Sequence, residues 1–162
     1  MNPTSKSDLQ ISTPTDLTLL LTRTFNAPRH LVWEAMFTPE KMRRWMLPPP
    51  GFTMTTCECD ARQGGLLKIQ WKSAEADPAM TLNGVFTEVV PLERAVHTEE
   101  FALPSGQVVS TQVEAHEFFE KNGVTQMRIT QTFETKAARD EGLGAGEGME
   151  AGYRKLDELL AS

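Results

Sequence analysis

The stretch Leu21-Thr22-Arg23-Thr24-Phe25-Asn26-Ala27-Pro28-Arg29-His30-Leu31-Val32-Trp33-Glu34-Ala35 changes its hydrophobic period in the middle, and that change decides the fold. Up to Phe25 it reads as a strand. After Pro28, Leu31, Val32, Ala35 and Met36 recur at i, i+1, i+4 and i+5, which is one face of a helix. Proline suits a first helical position, because its missing N–H would have no helical partner there and its fixed φ already matches a helix. A strand running into a helix is therefore the first unit of the chain.

Working outward, Leu17 to Asn26 completes that strand, with Leu19, Leu21 and Phe25 on one face together with Arg23. A charged side chain on that face must reach a carboxylate or the sheet margin, so an ion pair is expected for Arg23 ahead of a ligand contact. Residues 1–16 are rich in Ser, Thr, Pro and Asn, with only Leu9 and Ile11 as larger apolar residues, and read as a mobile tail. Residues 17–162 read as a single domain. Thr38-Pro39-Glu40 restarts a second short helix with Thr38 as a candidate N-cap, and the Leu47-Pro48-Pro49-Pro50-Gly51 run ends it.

From Phe52 the period becomes two. Strands are expected over Phe52–Asp60, Leu66–Lys72, Met80–Val90, Arg94–Leu103, Gln107–Glu120 and Val124–Glu134, with a polar loop from Ser73 to Ala79. The last two form a hairpin around Asn122-Gly123, residues that tolerate left-handed turn conformations. Thr135 then caps a short helical turn, and a final helix runs from about Glu147 to Ala161 with Met149, Tyr153, Leu156 and Leu160 on its apolar face. Gly152 lies on or beside that face, where glycine costs about 1 kcal/mol relative to alanine. It leaves space there, either for a close approach of the sheet backbone or for a cavity.

Composition narrows the function classes. The 162 residues are 40% hydrophobic and 23% charged, which is ordinary globular usage. A net charge of -6 with no basic run argues against nucleic acid as a partner. No apolar run reaches the ~20 residues that span a bilayer, so no membrane partner is expected, and without a secretory pattern a cytoplasmic location is expected. Cys57 and Cys59 share a strand face and read as structural thiols, and the three histidines repeat no zinc spacing. No metal and no cofactor are expected. Neither a Gly-x-Ser-x-Gly nucleophile motif nor a phosphate loop is present, and adjacent Glu99 and Glu100 point to opposite faces of a strand.

One strand, two short helices, six strands and a long helix is the element order of an α+β helix-grip fold, a curved antiparallel sheet of about seven strands around the last helix. The motifs LTRTFNAPRHLVWEAMFTPEKMRRW, DARQGG, LNGVFTEVVPLERAV and GMEAGYRKLDELLA resemble, in that order, bacterial proteins grouped with the C-terminal domain of the activator of Hsp90 ATPase, within the Bet v 1-like, START-like (SRPBCC) superfamily. The resemblance implies a ligand cavity between the C-terminal helix and the sheet. Trp71, Phe86, His97, Met127, Met149, Gly152, Tyr153 and Leu156 are the residues expected to line it. His97 is the leading polar candidate because it shares strand parity with Ala95, and His116 is the second.

The expected partner is a small apolar or amphipathic molecule, and no residue is assigned as catalytic. A cyclase- or hydrolase-like enzyme, with His97 and Tyr153 assisting proton transfer, is the alternative. A chaperone partner ranks last, since the family that gave the name carries a further N-terminal domain where this chain has its short tail. Two positions depart from the family pattern: Trp45-Met46 replaces a paired aromatic, and His97 stands where an aromatic or aliphatic residue is usual. The ligand preference of relatives is therefore not carried over.

Overall fold

A computed structural model describes residues 8–48, 50–73 and 80–162. In chain order its elements are β1 (Gln10–Thr15), β2 (Thr18–Phe25), α1 (Arg29–Phe37), α2 (Pro39–Trp45), β3 (Phe52–Cys59), β4 (Leu66–Ser73), β5 (Met80–Val90), β6 (Arg94–Ala102), β7 (Val108–Lys121), β8 (Val124–Phe133), α3 (Lys136–Leu143) and α4 (Gly146–Ala161). The strands form one curved, open antiparallel sheet in the order β1-β2-β8-β7-β6-β5-β4-β3. The meander from β3 to β8 pairs consecutively. β2 joins it beside β8, so α1 and α2 carry the chain across to the opposite edge at β3. This is the helix-grip arrangement.

The period change at Pro28 is visible directly. Burial alternates along β2, with Leu19, Leu21, Arg23 and Phe25 inside, and α1 then buries Val32, Ala35, Met36 and Phe37. Pro28 occupies the N-cap with φ -67° and ψ 154°, one position before the first helical residue. Pro39 takes the first position of α2 behind Thr38, whose side chain makes no cap hydrogen bond. The Thr135 hydroxyl does cap α3, accepting from Ala138 N at 3.1 Å. At the β7–β8 turn Asn122 and Gly123 have φ of 53° and 77°, the left-handed pair a two-residue hairpin needs.

One expectation is corrected. Gln10–Thr15, read from composition as part of a mobile tail, form β1 on the free edge of β2, with Ile11 opposite Leu21, which raises the strand number from seven to eight. Leu9 N donates to Glu150 Oε1 at 3.0 Å, and Leu9 and Ile11 pack on the core. Two apolar residues are too few to order a free segment, but here an unpaired strand edge and a helix carboxylate are already waiting for them. Residues 1–7 of the tail, Pro49 of the proline run and most of the expected polar loop, 74–79, lie outside the described residues.

The core fills the space between the concave face of the sheet and α1, α2 and α4. Arg23 makes the expected ion pair, and makes it twice. Its Nε donates to Glu150 Oε1 at 2.9 Å and an Nη to Asp157 Oδ2 at 2.8 Å, while its own side chain is 1% exposed. Two carboxylates seven residues apart on α4 thus clamp the helix to β2 through one buried cation.

Candidate functional site

The parity of β6 puts Ala95 and His97 on the buried face, with Glu99 next along it and half-buried. On β7 the same face carries Gln112, Glu114, His116 and Phe118, and on β8 it carries Met127, Ile129, Gln131 and Phe133. Register then does what no single strand does alone. His97 lies opposite Glu114, Glu99 opposite Gln112, and Glu114 in turn opposite Gln131. The outcome is a polar island inside an apolar sheet face.

Its hydrogen bonds are organised around Glu114. Gln112 Nε2 donates to Glu114 Oε2 at 2.9 Å and to Glu99 Oε1 at 3.1 Å, and Gln131 Nε2 donates to the same Glu114 Oε2 at 2.7 Å. Glu114 Oε1 faces His116 Nε2 at 3.8 Å, and Glu99 Oε2 faces His97 Nδ1 at 3.6 Å. His97 Nδ1 also stands 3.3 Å from the Thr98 carbonyl oxygen. A carbonyl only accepts, so Nδ1 is the donor in that contact. The two imidazoles stack with centroids 5.4 Å apart.

Aromatic side chains wall this island on one side. Phe86 meets His97 edge-on at 5.2 Å, and Phe37 from α1 meets His116 at 5.6 Å. Tyr153 approaches from α4, stacked on Trp45 at 5.6 Å and edge-on to Phe25 at 5.7 Å.

Burial shapes the protonation states. It pushes the His116 imidazole well below its ordinary range, with His97 adding to the effect, so His116 is neutral near pH 7. Burial also pushes the Glu99 carboxyl well above the usual carboxylate range; Glu114 reinforces this and the Gln112 amide opposes it. The Tyr153 phenol is raised by burial and by Glu114, against the pull of Arg23, and remains a hydrogen-bond donor. Among the described residues two buried polar side-chain atoms, His116 Nδ1 and Trp71 Nε1, have no hydrogen-bond partner. Leaving a buried polar atom unpaired costs on the order of 1–3 kcal/mol, and such orphans in a folded protein ask for a reason.

The eight sequence-predicted residues divide. Phe86, His97 and Tyr153 border the polar island, and Met127 faces Phe118 one row along β8. Met149 and Leu156 lie on α4 toward the core. Trp71 packs against Phe101 at 6.0 Å. Gly152 is accounted for by neither the sheet backbone nor a cavity: a Cβ there would stand 3.0 Å from the Trp45 carbonyl oxygen, so the close approach is that of α2. Two surface hollows lie elsewhere. One, of about 440 Å³, includes Arg29, Arg94 and Phe119, and the other, of about 460 Å³, includes Cys57, Cys59 and Leu66; none of the eight residues lines either.

Sequence reasoning missed Glu99, Gln112, Glu114 and Gln131. It weighed Glu99 only against Glu100, which is indeed exposed on the other face. The alternation of Gln112, Glu114 and His116 with Phe118 would have revealed an inward polar row. The partner row requires the β6–β7 register. That register also groups His97, Glu114 and His116, which no linear histidine spacing suggests.

No helix among the described residues is long and apolar enough to cross a membrane. Among proteins with curated descriptions, none matches this chain. Solved structures do. A Rhodobacter sphaeroides protein is 25% identical with a TM-score of 0.84, covering 95% of this chain and 98% of its own. Protein NE0264 from Nitrosomonas europaea is 25% identical with a TM-score of 0.75, covering 92% and 97%. Protein Ms6760 from Mycobacterium smegmatis, 22% identical with a TM-score of 0.77 over 93% and 95%, shares the fold. The family model described as "Activator of Hsp90 ATPase homolog 1-like protein" matches residues 26–161, which includes every element from α1 to α4, and the chain belongs to that family.

Proposed function

We propose that this protein binds a small, largely apolar molecule bearing a hydrogen-bonding group, held between α4 and the concave face of the sheet. Phe86, Met127 and Leu156 supply apolar surface, and His97, Glu99, Glu114, His116 and Tyr153 supply donors and acceptors within it. Ligand sites commonly combine apolar walls with a few convergent polar groups.

The observation that carries this reading is the buried polar island with its unpartnered His116 Nδ1. A domain stabilised only by packing gains nothing from two histidines and two carboxylates on the inner face of its sheet, whereas a ligand group there would pair with them. Family membership and the shared fold are consistent with ligand binding. Native mass spectrometry of freshly purified protein tests it. A non-covalent added mass that disappears on denaturation, and is reduced at least tenfold in Glu114→Gln, is expected. Identical native and denatured masses, with no binding from a panel of small amphipathic molecules, would refute it.

A further inference from the structure

We propose that His97, Glu114 and His116 form a binding site for a divalent transition-metal ion of the zinc type. One ligand atom from each of the three side chains lies within 4.8 Å of the other two, and all three residues are buried, at 3%, 8% and 4% exposure. Two imidazoles and one carboxylate are donors suited to Zn²⁺, Co²⁺ or Fe²⁺, and such a set leaves at least one coordination position for water or another ligand.

The surrounding hydrogen bonds already orient these side chains. Both amide donors, from Gln112 and Gln131, go to Glu114 Oε2, which leaves Oε1 turned toward His116 Nε2 at 3.8 Å. The 3.3 Å contact of His97 Nδ1 with the Thr98 carbonyl oxygen engages that nitrogen and leaves Nε2 as the one available to a ligand. Outer partners of this kind, a carbonyl behind a histidine and hydrogen bonds behind a carboxylate, accompany metal ligands generally. Among the described residues His116 Nδ1 has no hydrogen-bond partner and His116 is 4% exposed, so little in the protein competes for this imidazole beyond the Glu114 carboxylate 3.8 Å from Nε2.

Charge points the same way. Among the described residues the buried Glu114 carboxylate pairs with no lysine or arginine, and the buried Arg23 is committed to Glu150 and Asp157. A dication at this place would balance carboxylate charge that the fold leaves without a permanent counter-ion. The closing geometry needed is small: ligand atoms within 4.8 Å of one another must approach to roughly 3.3–3.6 Å, the separation set by tetrahedral bonds of roughly 2.0–2.2 Å. The inference is independent of whether an organic molecule also binds, although a metal with an open position would give such a molecule something to coordinate.

The test uses untagged full-length protein, stripped with a chelator and titrated with Zn²⁺ or Co²⁺. One equivalent retained per chain after desalting is expected, with a cobalt d–d absorption typical of nitrogen and oxygen ligands. On Zn²⁺ addition, the imidazole ¹⁵N resonances of His97 and His116 should shift while those of exposed His30 stay in place. Because this last readout uses the wild-type protein, it does not depend on any variant folding. Affinity should fall at least tenfold in Glu114→Gln and in His116→Gln, and remain unchanged in His30→Gln and in Cys57→Ser/Cys59→Ser. Absence of stoichiometric binding, or stoichiometric binding that shifts only His30 or vanishes with the cysteines, would overturn the proposal.

Discussion

The carbonyl oxygen of Trp45 sits 3.0 Å from the point that a Cβ on Gly152 would occupy. The C-terminal end of α2 therefore rests against the backbone of α4 at the only residue type that lets it come so near, and Tyr153 beside it stacks on the Trp45 indole. Gly152→Ala sets about 1 kcal/mol of helix propensity against crowding of a backbone atom, and is expected to stay within about 1 kcal/mol of wild type. Gly152→Leu has no such balance and should lose about 2–3 kcal/mol, the range for overpacking. Urea unfolding of both variants checks this; a Gly152→Leu protein as stable as wild type would mean that a cavity, not α2, faces the glycine.

The clamp from Arg23 to Glu150 and Asp157 yields a second prediction. Burial works against the guanidinium charge, yet its hydrogen bonds to Asp157 and Glu150 outweigh that cost and hold the charge more firmly than usual. Arg23→Met should lower stability by about 2–3 kcal/mol, below the full cost of breaking a buried pair because the side chains of Glu150 and Asp157 are 18% and 40% exposed. The triple variant Arg23→Met/Glu150→Gln/Asp157→Asn should recover part of the loss, and denaturant midpoints would show whether it does.

β1 makes its own claim. Ile11 packs on the core and Leu9 is tied to Glu150, so Ile11→Ala is expected to cost on the order of 1 kcal/mol, as befits a half-buried side chain. The exposed neighbour Ser12→Ala should cost nothing measurable. Equal melting temperatures for the two variants would restore the reading of this segment as a loose tail.

The two thiols supply a chemical prediction with a defined sign. Burial, reinforced by Cys57 and Asp60, pushes the Cys59 thiol up to about 12, and burial also raises Cys57. Only the thiolate reacts, so alkylation of Cys59 by iodoacetamide at pH 8.5 should be about three orders of magnitude slower than for a free cysteine. Because the folded protein holds the Cys59 proton more tightly than the unfolded chain does, this contribution to stability is complete below about pH 8.5 and declines as pH rises toward 12. Rapid alkylation of Cys59 in the native protein, located by peptide mass, would contradict it.

The scaffold was legible because each of its decisions is local. The period switch at Pro28, the Asn122-Gly123 turn and the alternation in β8 each sit within a few residues, and Arg23 announced its ion pair by its parity with Leu21 and Phe25. β1 was not legible, since its order comes from the open edge of β2 and from Glu150, more than a hundred residues away. The polar island was half legible. His97 and His116 were found by parity, but Glu114 gains its meaning only from lying opposite His97 on the next strand, and register is a property of the pairing rather than of either strand.

The central claim is that the polar island is where a ligand binds, and the most direct measurement is a ¹H–¹⁵N spectrum of labelled protein titrated with small aromatic molecules that each carry one hydroxyl or amide. Saturable shifts clustered at His97, Glu114, His116 and Tyr153 are expected. Shifts confined to the outer hollow around Arg29, Arg94 and Phe119, or no saturable shift from any molecule, would contradict it.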